Sequence, residues 1–209
     1  GVSDRKFEDI ESDIKSLNAK SFPVLDDARG EEMAQRILKA REEADSVGGV
    51  TETVICGTPA GVGEPWFDSV ESVISHAAFS LGGVKGIEFG AGFAVADMKG
   101  SECNDPLRVS GGRIVTTTNN NGGINGGITN GMPIVFRCAV KPTPSIAQQQ
   151  DTVDFIKNEN TQLSIHGRHD PAIIRRICPV LDSVAALCVA DMLSLRYGTD
   201  VLTKGVDDK

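Results

Sequence analysis

The chain has 209 residues, 40% of them hydrophobic and 24% charged, with 23 glycines, nine prolines and five cysteines, which excludes a disordered tail, a collagen-like repeat and a disulfide scaffold. Its 21 basic against 29 acidic residues leave a formal charge of −8, so the average field repels phosphate and nucleic acid, and any anion site needs a local cluster of Arg, Lys and backbone N–H groups. The scattered cysteines form no CxxC pair and read as reduced and intracellular; apolar stretches such as 185–190 fall short of the ~20 residues of a membrane span, and no signal peptide opens the sequence. The expectation is a cytoplasmic protein with neither nucleic acid nor membrane as partner.

In chain order, Phe7, Ile10, Ile14 and Leu17 recur at the spacing of an amphipathic helix within residues 1–22. A second helix is expected over 30–47, with Met33, Ala34, Ile37, Leu38 and Ala44 on one face and Gly48-Gly49 as its stop. Residues 50–56 are β-branched and read as a strand, followed by a loop dense in Gly and Pro. Phe67, Val70, Val73, Ile74 and Ala77 give the next helix an inward stripe, and 84–89 is a further short strand.

Residues 114–118 and 133–140 are strand candidates joined by 119–131, in which ten of thirteen residues are Asn or Gly. Both types tolerate positive φ, so this connection is expected to use left-handed backbone and to offer a flat ligand a surface nearly bare of side chains. After a polar segment, 162–166 is a possible strand, and the long apolar run 172–197 is expected to be divided at Pro179, with Asp170 capping the helix that Pro171 begins. The tail from Gly198 reads as frayed. No internal repeat or linker stands out, so residues 1–209 are expected to form a single domain of mixed α and β elements.

Gly90-Ala-Gly92 lacks the third small residue of a dinucleotide fingerprint, since Val95 stands there, and no GxxxxGK[ST] phosphate loop exists. His166, His169 and Asp170 supply metal-ligand types within five positions, but on a loop rather than at helical i,i+4 spacing; a metal-dependent hydrolase is the third reading. The anion reading is better motivated. Arg168 precedes a helix start whose free N–H groups attract negative charge, and Lys141-Pro142-Thr143-Pro144-Ser145 leaves a strand end as a Pro-stiffened loop with one cation and two hydroxyls.

Taken together, Gly122-Gly-Ile-Asn-Gly-Gly-Ile-Thr-Asn-Gly-Met-Pro-Ile-Val135, Lys141-Pro-Thr-Pro-Ser-Ile146 and Gly167-Arg-His-Asp-Pro171 resemble the chorismate synthase family in order and spacing. Asp45-Ser-Val-Gly-Gly49, Gly61-Val-Gly-Glu-Pro65 and Val84-Lys-Gly-Ile-Glu-Phe-Gly90 extend the resemblance over nearly the whole chain. It implies an α+β fold, a β-α-β sandwich with helices between antiparallel sheets, assembled as a homotetramer. It also implies a carbon–oxygen lyase of the shikimate pathway: 1,4-anti elimination of phosphate from 5-enolpyruvylshikimate-3-phosphate gives chorismate and requires reduced FMN without net redox change.

Carried over to matching positions, Lys141, Pro142, Thr143, Pro144 and Ser145 would hold the FMN phosphate and ribityl end, while Gly126 would lie against the flavin. Gly82 and Gly83 stand where the family makes another flavin contact through different residues, so only a backbone contact is expected there. Arg168 would meet flavin and substrate. Asp170 would face the flavin N5 region as the catalytic residue assisting proton movement, in competition with its capping role. The family's opening GESHG-type segment and its later Arg/Ser-rich flavin segment do not occur here, and none of His76, His166 or His169 matches its two acid–base histidines. The chain is therefore expected to be the carboxy-terminal part of such an enzyme and inactive alone; the alternative is a non-catalytic flavin- or anion-binding module.

Overall fold

A computed structural model describes residues 1–205. The chain divides into two compact units, one of residues 1–49 with 141–178, the other of residues 50–140 with the chain from 179 onward. Helices, antiparallel hairpins and one three-stranded sheet make up the described residues, so the class is α+β, as expected.

In the first unit, Asp9 caps α1 (Ile10–Asn18) by accepting from Ser12 N at 3.1 Å, and Asp26 caps α2 (Asp27–Glu42) by accepting from Ala28 N and Arg29 N. The Asp26 cap starts α2 earlier than the sequence suggests and leaves Gly30 inside it. The helix also ends before Gly48-Gly49. Ala44 takes φ +56, and Asp45 N returns to Ala40 O at 2.8 Å, closing a Schellman-like turn on a non-glycine residue. Val24 and Ala40 are buried, whereas Leu38 and Ala44 of the expected inward face are exposed.

A hairpin of β8 (Gln150–Asp154) and β9 (Glu159–Leu163) also belongs to this unit, pairing Gln150 with Leu163 and Asp154 with Glu159. No strand is expected at β8, and the expected strand 162–166 begins three residues after the start of β9.

The second unit is built on a three-stranded sheet ordered β1 (Gly49–Ile55), β7 (Ile134–Val140), β2 (Val84–Phe89). β7 and β2 are antiparallel, with Val84 opposite Val140 and Phe89 opposite Phe136. Alternation along β7 puts Ile134, Phe136, Cys138 and Val140 inside, each under 5% exposed. Burial pushes the Cys138 thiol up to about 11. Arg137 ties all three strands together, donating to Glu88 on β2 at 2.6 Å and to Glu52 on β1 at 3.1 Å.

α3 (Val70–Phe79) packs against β2 through Val70, Ile74 and Ala78, a strict i,i+4,i+8 stripe. Phe67 is not on that stripe. It sits in a 3-10 turn at Trp66–Asp68 and is exposed, because Ser69 accepts from Ser72 N and starts the α-helix only at Val70.

α4 (Gly100–Cys103) is a single turn before the hairpin of β3 (Leu107–Ser110) and β4 (Arg113–Thr116); only the second of these strands was anticipated. α5 (Ile174–Tyr197) runs unbroken for 24 residues with Pro179 inside it, not as two helices. It is therefore long and apolar enough, by length and composition, to cross a bilayer, which the sequence reading had excluded. Its Leu181, Ala185, Cys188 and Met192 are nonetheless buried at the spacing of a core-facing stripe. The expected frayed tail holds one helical turn, α6 (Val201–Lys204), and otherwise extends past the described residues.

Candidate functional site

The first unit holds the anion-site candidates. β7 ends at Val140, and Lys141 leaves it exposed, with no ion pair or hydrogen bond among the described residues. Pro142 and Pro144 restrict the loop that follows. Two tethers hold that loop: Ser46 Oγ donates to Thr143 O at 2.6 Å, and Ser145 Oγ lies 3.2 Å from His169 Nδ1. Thr143 Oγ1 is buried yet has no hydrogen-bond partner. A buried hydroxyl left unpaired costs about 1–3 kcal/mol, which an acceptor entering the loop would recover.

His169 brings Ser145 to the Arg168–Asp170 segment. Its Nε2 lies 2.9 Å from Ile165 O, and a carbonyl can only accept, so Nε2 carries the hydrogen. Arg168 is exposed and, like Lys141, has no counterion among the described residues. Asp170 Oδ1 accepts from Ala172 N at 3.2 Å, and Oδ2 pairs with Arg176 at 3.1 Å.

This amends the expected cap: α5 begins at Ile174, and Asp170 closes the turn before it rather than the first helical turn. Oδ2 is buried and receives no well-aligned hydrogen bond, and Arg176 is 79% exposed, so this oxygen keeps accepting capacity. The metal reading fails on geometry. Among the described residues no three His, Cys, Asp or Glu side chains stand where one ion could meet them.

The flavin-surface candidates lie in the second unit. Within the Asn/Gly connection, β5 (Ile124–Asn125) and β6 (Ile128–Thr129) form a miniature hairpin closed by Gly126 and Gly127 at φ +59 and +90, the primed turn that requires left-handed backbone at both central residues. A side chain at Gly127 would meet Ser69 Cβ at 2.7 Å and Glu64 O at 2.8 Å, so Gly127 is pinned by packing. Gly126 faces open space.

The asparagines do not share the glycines' conformation, contrary to expectation; none of the five takes positive φ. They bond instead. Asn119 accepts from Gly123 N and donates to Pro133 O, and Asn130 donates to Asn125.

Asp105, unnoticed in the sequence, anchors the whole connection by accepting from Thr118 Oγ1, Asn120 N, Asn121 N and Asn121 Nδ2 at 2.7–2.9 Å. Burial alone would raise this carboxyl; the four donors outweigh it and hold it below the usual carboxylate range. Gly82 and Gly83 form the turn between α3 and β2, where Gly82 is exposed with open space beside it. Ser46 and His169, both within quoted motifs, acquire their part only through long-range bonds to Thr143 and Ser145.

The family's sequence model, described as chorismate synthase, matches residues 5–194. The chain belongs to the chorismate synthase family. Chorismate synthase of Methanosarcina acetivorans is 48% identical over 183 residues, 87% of this chain and 50% of that protein. The Korarchaeum cryptofilum enzyme of the same name is 49% identical over 166 residues, 78% of this chain and 46% of that one. A solved structure titled "Crystal Structure of Chorismate Synthase" superposes with a TM-score of 0.73 at 28% identity, covering 91% of this chain and 50% of the other. The chain thus spans about half the length of the chorismate synthases it matches, and it shares their α+β fold.

Proposed function

We propose that the protein carrying these residues is a chorismate synthase, eliminating phosphate from 5-enolpyruvylshikimate-3-phosphate in the 1,4-anti sense, and that this chain contributes the phosphate end of its flavin site. The observation that carries the reading is the buried Thr143 hydroxyl, without a partner among the described residues, two positions along the chain from the Lys141 cation, which has no ion pair among them. A phosphate monoester supplies the acceptor the hydroxyl lacks and the charge the ammonium lacks. Reduced FMN, when bound, supplies an electron-rich ring whose electrons the overall reaction does not consume.

The chain's own residues have distinct tasks in this reading. Lys141, Thr143 and Ser145 bind and orient the phosphate, with Pro142 and Pro144 limiting the loop's freedom. Gly126 lets a planar ring approach because no side chain projects from it. Arg168 meets flavin and substrate anions. Asp170, whose Oδ2 keeps accepting capacity, would assist proton movement at the flavin and serve as the catalytic residue of this half.

Residues 1–209 alone are proposed to bind without turnover. Of their three histidines, His169 has both ring nitrogens engaged, and none matches the family's acid–base pair. A homotetramer in the cytoplasm completes the reading.

The test is anaerobic: a chain extended to the length of its relatives is mixed with reduced FMN and 5-enolpyruvylshikimate-3-phosphate, and chorismate and inorganic phosphate are followed. Stoichiometric release of both is expected. Flavin binding without either product would leave a binding module in place of the enzyme.

A further inference from the structure

We infer that His169 is a positioning residue that sets the direction of the Ser145 hydroxyl hydrogen, so that gripping a phosphate through Ser145 is coupled to proton uptake by the imidazole. The inference rests on the reading of 141–145 as a phosphate loop and adds to it the protonation state in which the loop is competent.

The argument is one of donor count. Nε2 spends its hydrogen on Ile165 O at 2.9 Å, so in the neutral ring Nδ1 has only a lone pair. The contact of Ser145 Oγ with Nδ1 at 3.2 Å then requires the serine to donate. A hydroxyl has one hydrogen, and once it points at the imidazole, Ser145 presents only lone pairs to the loop's interior. A phosphate dianion likewise presents acceptors, so the two repel. When Nδ1 takes up a proton it donates to Oγ, and the serine hydrogen turns to the anion. The same event adds a positive charge behind the serine, and hydrogen bonds to charged groups are the stronger kind.

The charged groups on the joined segments do not duplicate this role. Arg168 and Asp170 flank His169 in the chain, and Asp170 is engaged with Arg176. Lys141 lies on the phosphate loop itself. Asp45 stands next to the Ser46 that holds Thr143 O, and its Oδ1 accepts from Ser46 N. None of these groups touches Nδ1. Its one bonded partner among the described residues is Ser145.

The experiment titrates FMN and riboflavin into the 209-residue chain from about pH 5 to 8, the range in which histidine side chains change charge, with proton uptake measured by calorimetry in buffers of different ionisation enthalpy. The wild-type chain is expected to lose roughly tenfold in FMN affinity as pH rises and to take up protons on binding. His169→Gln, which can keep the donor to Ile165 O, is expected to bind FMN with a flat profile and no such uptake. Ser145→Ala is expected to be equally flat and decides the matter should His169→Gln not fold.

The phosphate's own ionisation acts alike in all three proteins, so it cancels in the comparison. Identical pH profiles and proton uptake in wild type and both variants, with FMN still preferred over riboflavin, would overturn the inference while leaving the phosphate loop intact. Equal affinity for FMN and riboflavin in the wild type would remove the phosphate-loop reading itself.

Discussion

Two side chains of the candidate site separate binding from stability. Thr143→Val removes a buried hydroxyl that has no partner, so thermal stability is expected to hold or rise by up to about 1 kcal/mol, while FMN binding weakens by roughly 0.5–1.5 kcal/mol. A loss of stability with unchanged FMN affinity would make the threonine purely structural. Asp170→Asn keeps an acceptor for Ala172 N but abolishes the carboxylate; stability within about 1 kcal/mol of wild type and a marked fall in turnover of the extended enzyme are expected.

Asp105 makes the opposite case, a structural carboxylate. Its pKa is depressed in the folded chain, so its contribution is fully present above the ordinary carboxylate value of about 3.9 and is lost as pH falls through the lower folded value. Urea midpoints are therefore expected to drop on acidification below about pH 4, and less steeply in Asp105→Asn, which is less stable at neutral pH; parallel curves would contradict this. Lys141 and the hydroxyls of Thr143 and Ser145 were legible in the sequence as a candidate loop, because their chemistry is carried by adjacent residues. Asp105, Ser46 and His169 were not. Asp105 reaches across 13 to 16 positions and Ser46 across 97, and nothing local marks a carboxylate or hydroxyl that is to bond so far away.

Elements were readable where burial imposed a period. β7 alternates inside and outside over seven residues and emerges from the sequence within a residue; α3 buries every fourth residue and is recognised as a helix, but its expected stripe begins three residues early, at Phe67. β3 and β9 are exposed along their whole length and β8 nearly so, and a strand with no buried face has no alternation to read. Pro179 misled for a different reason. It stands near the start of α5, where only the early turns lose a hydrogen bond, and the apolar stripe beyond it carries the helix on.

The end of α2 is also an element-scale feature open to test. Ala44 at φ +56 pays the left-handed cost of roughly 1–2 kcal/mol that glycine avoids, so Ala44→Gly is expected to raise stability by about 1 kcal/mol. Unchanged or lower stability would mean that the turn relaxes in solution. In the Gly126–Gly127 turn, Gly127→Ala is expected to destabilise the second unit more than Gly126→Ala, because only the former meets Ser69 and Glu64. Gly126→Ala is expected to act mainly on flavin affinity.

At the scale of the molecule, family membership over residues 5–194 and a shared fold at a TM-score of 0.73 set the chemistry to be looked for. Lys141, Ser145, Arg168 and Asp170 belong to one unit, and the Gly126 turn belongs to the other. The acidic balance of −8 makes Lys141 and Arg168, unpaired among the described residues, more conspicuous, since a phosphate ligand must find its cations locally. The central claim is that residues 141–145 recognise a phosphate monoester on a flavin. Its most direct measurement is the ratio of FMN to riboflavin affinity in the wild-type chain and in Lys141→Ala, read by flavin fluorescence at low salt. The account predicts a preference for FMN of roughly tenfold or more in the wild type, collapsing toward unity in Lys141→Ala; equal binding of the two flavins by the wild type, or a preference that survives the loss of Lys141, would contradict it.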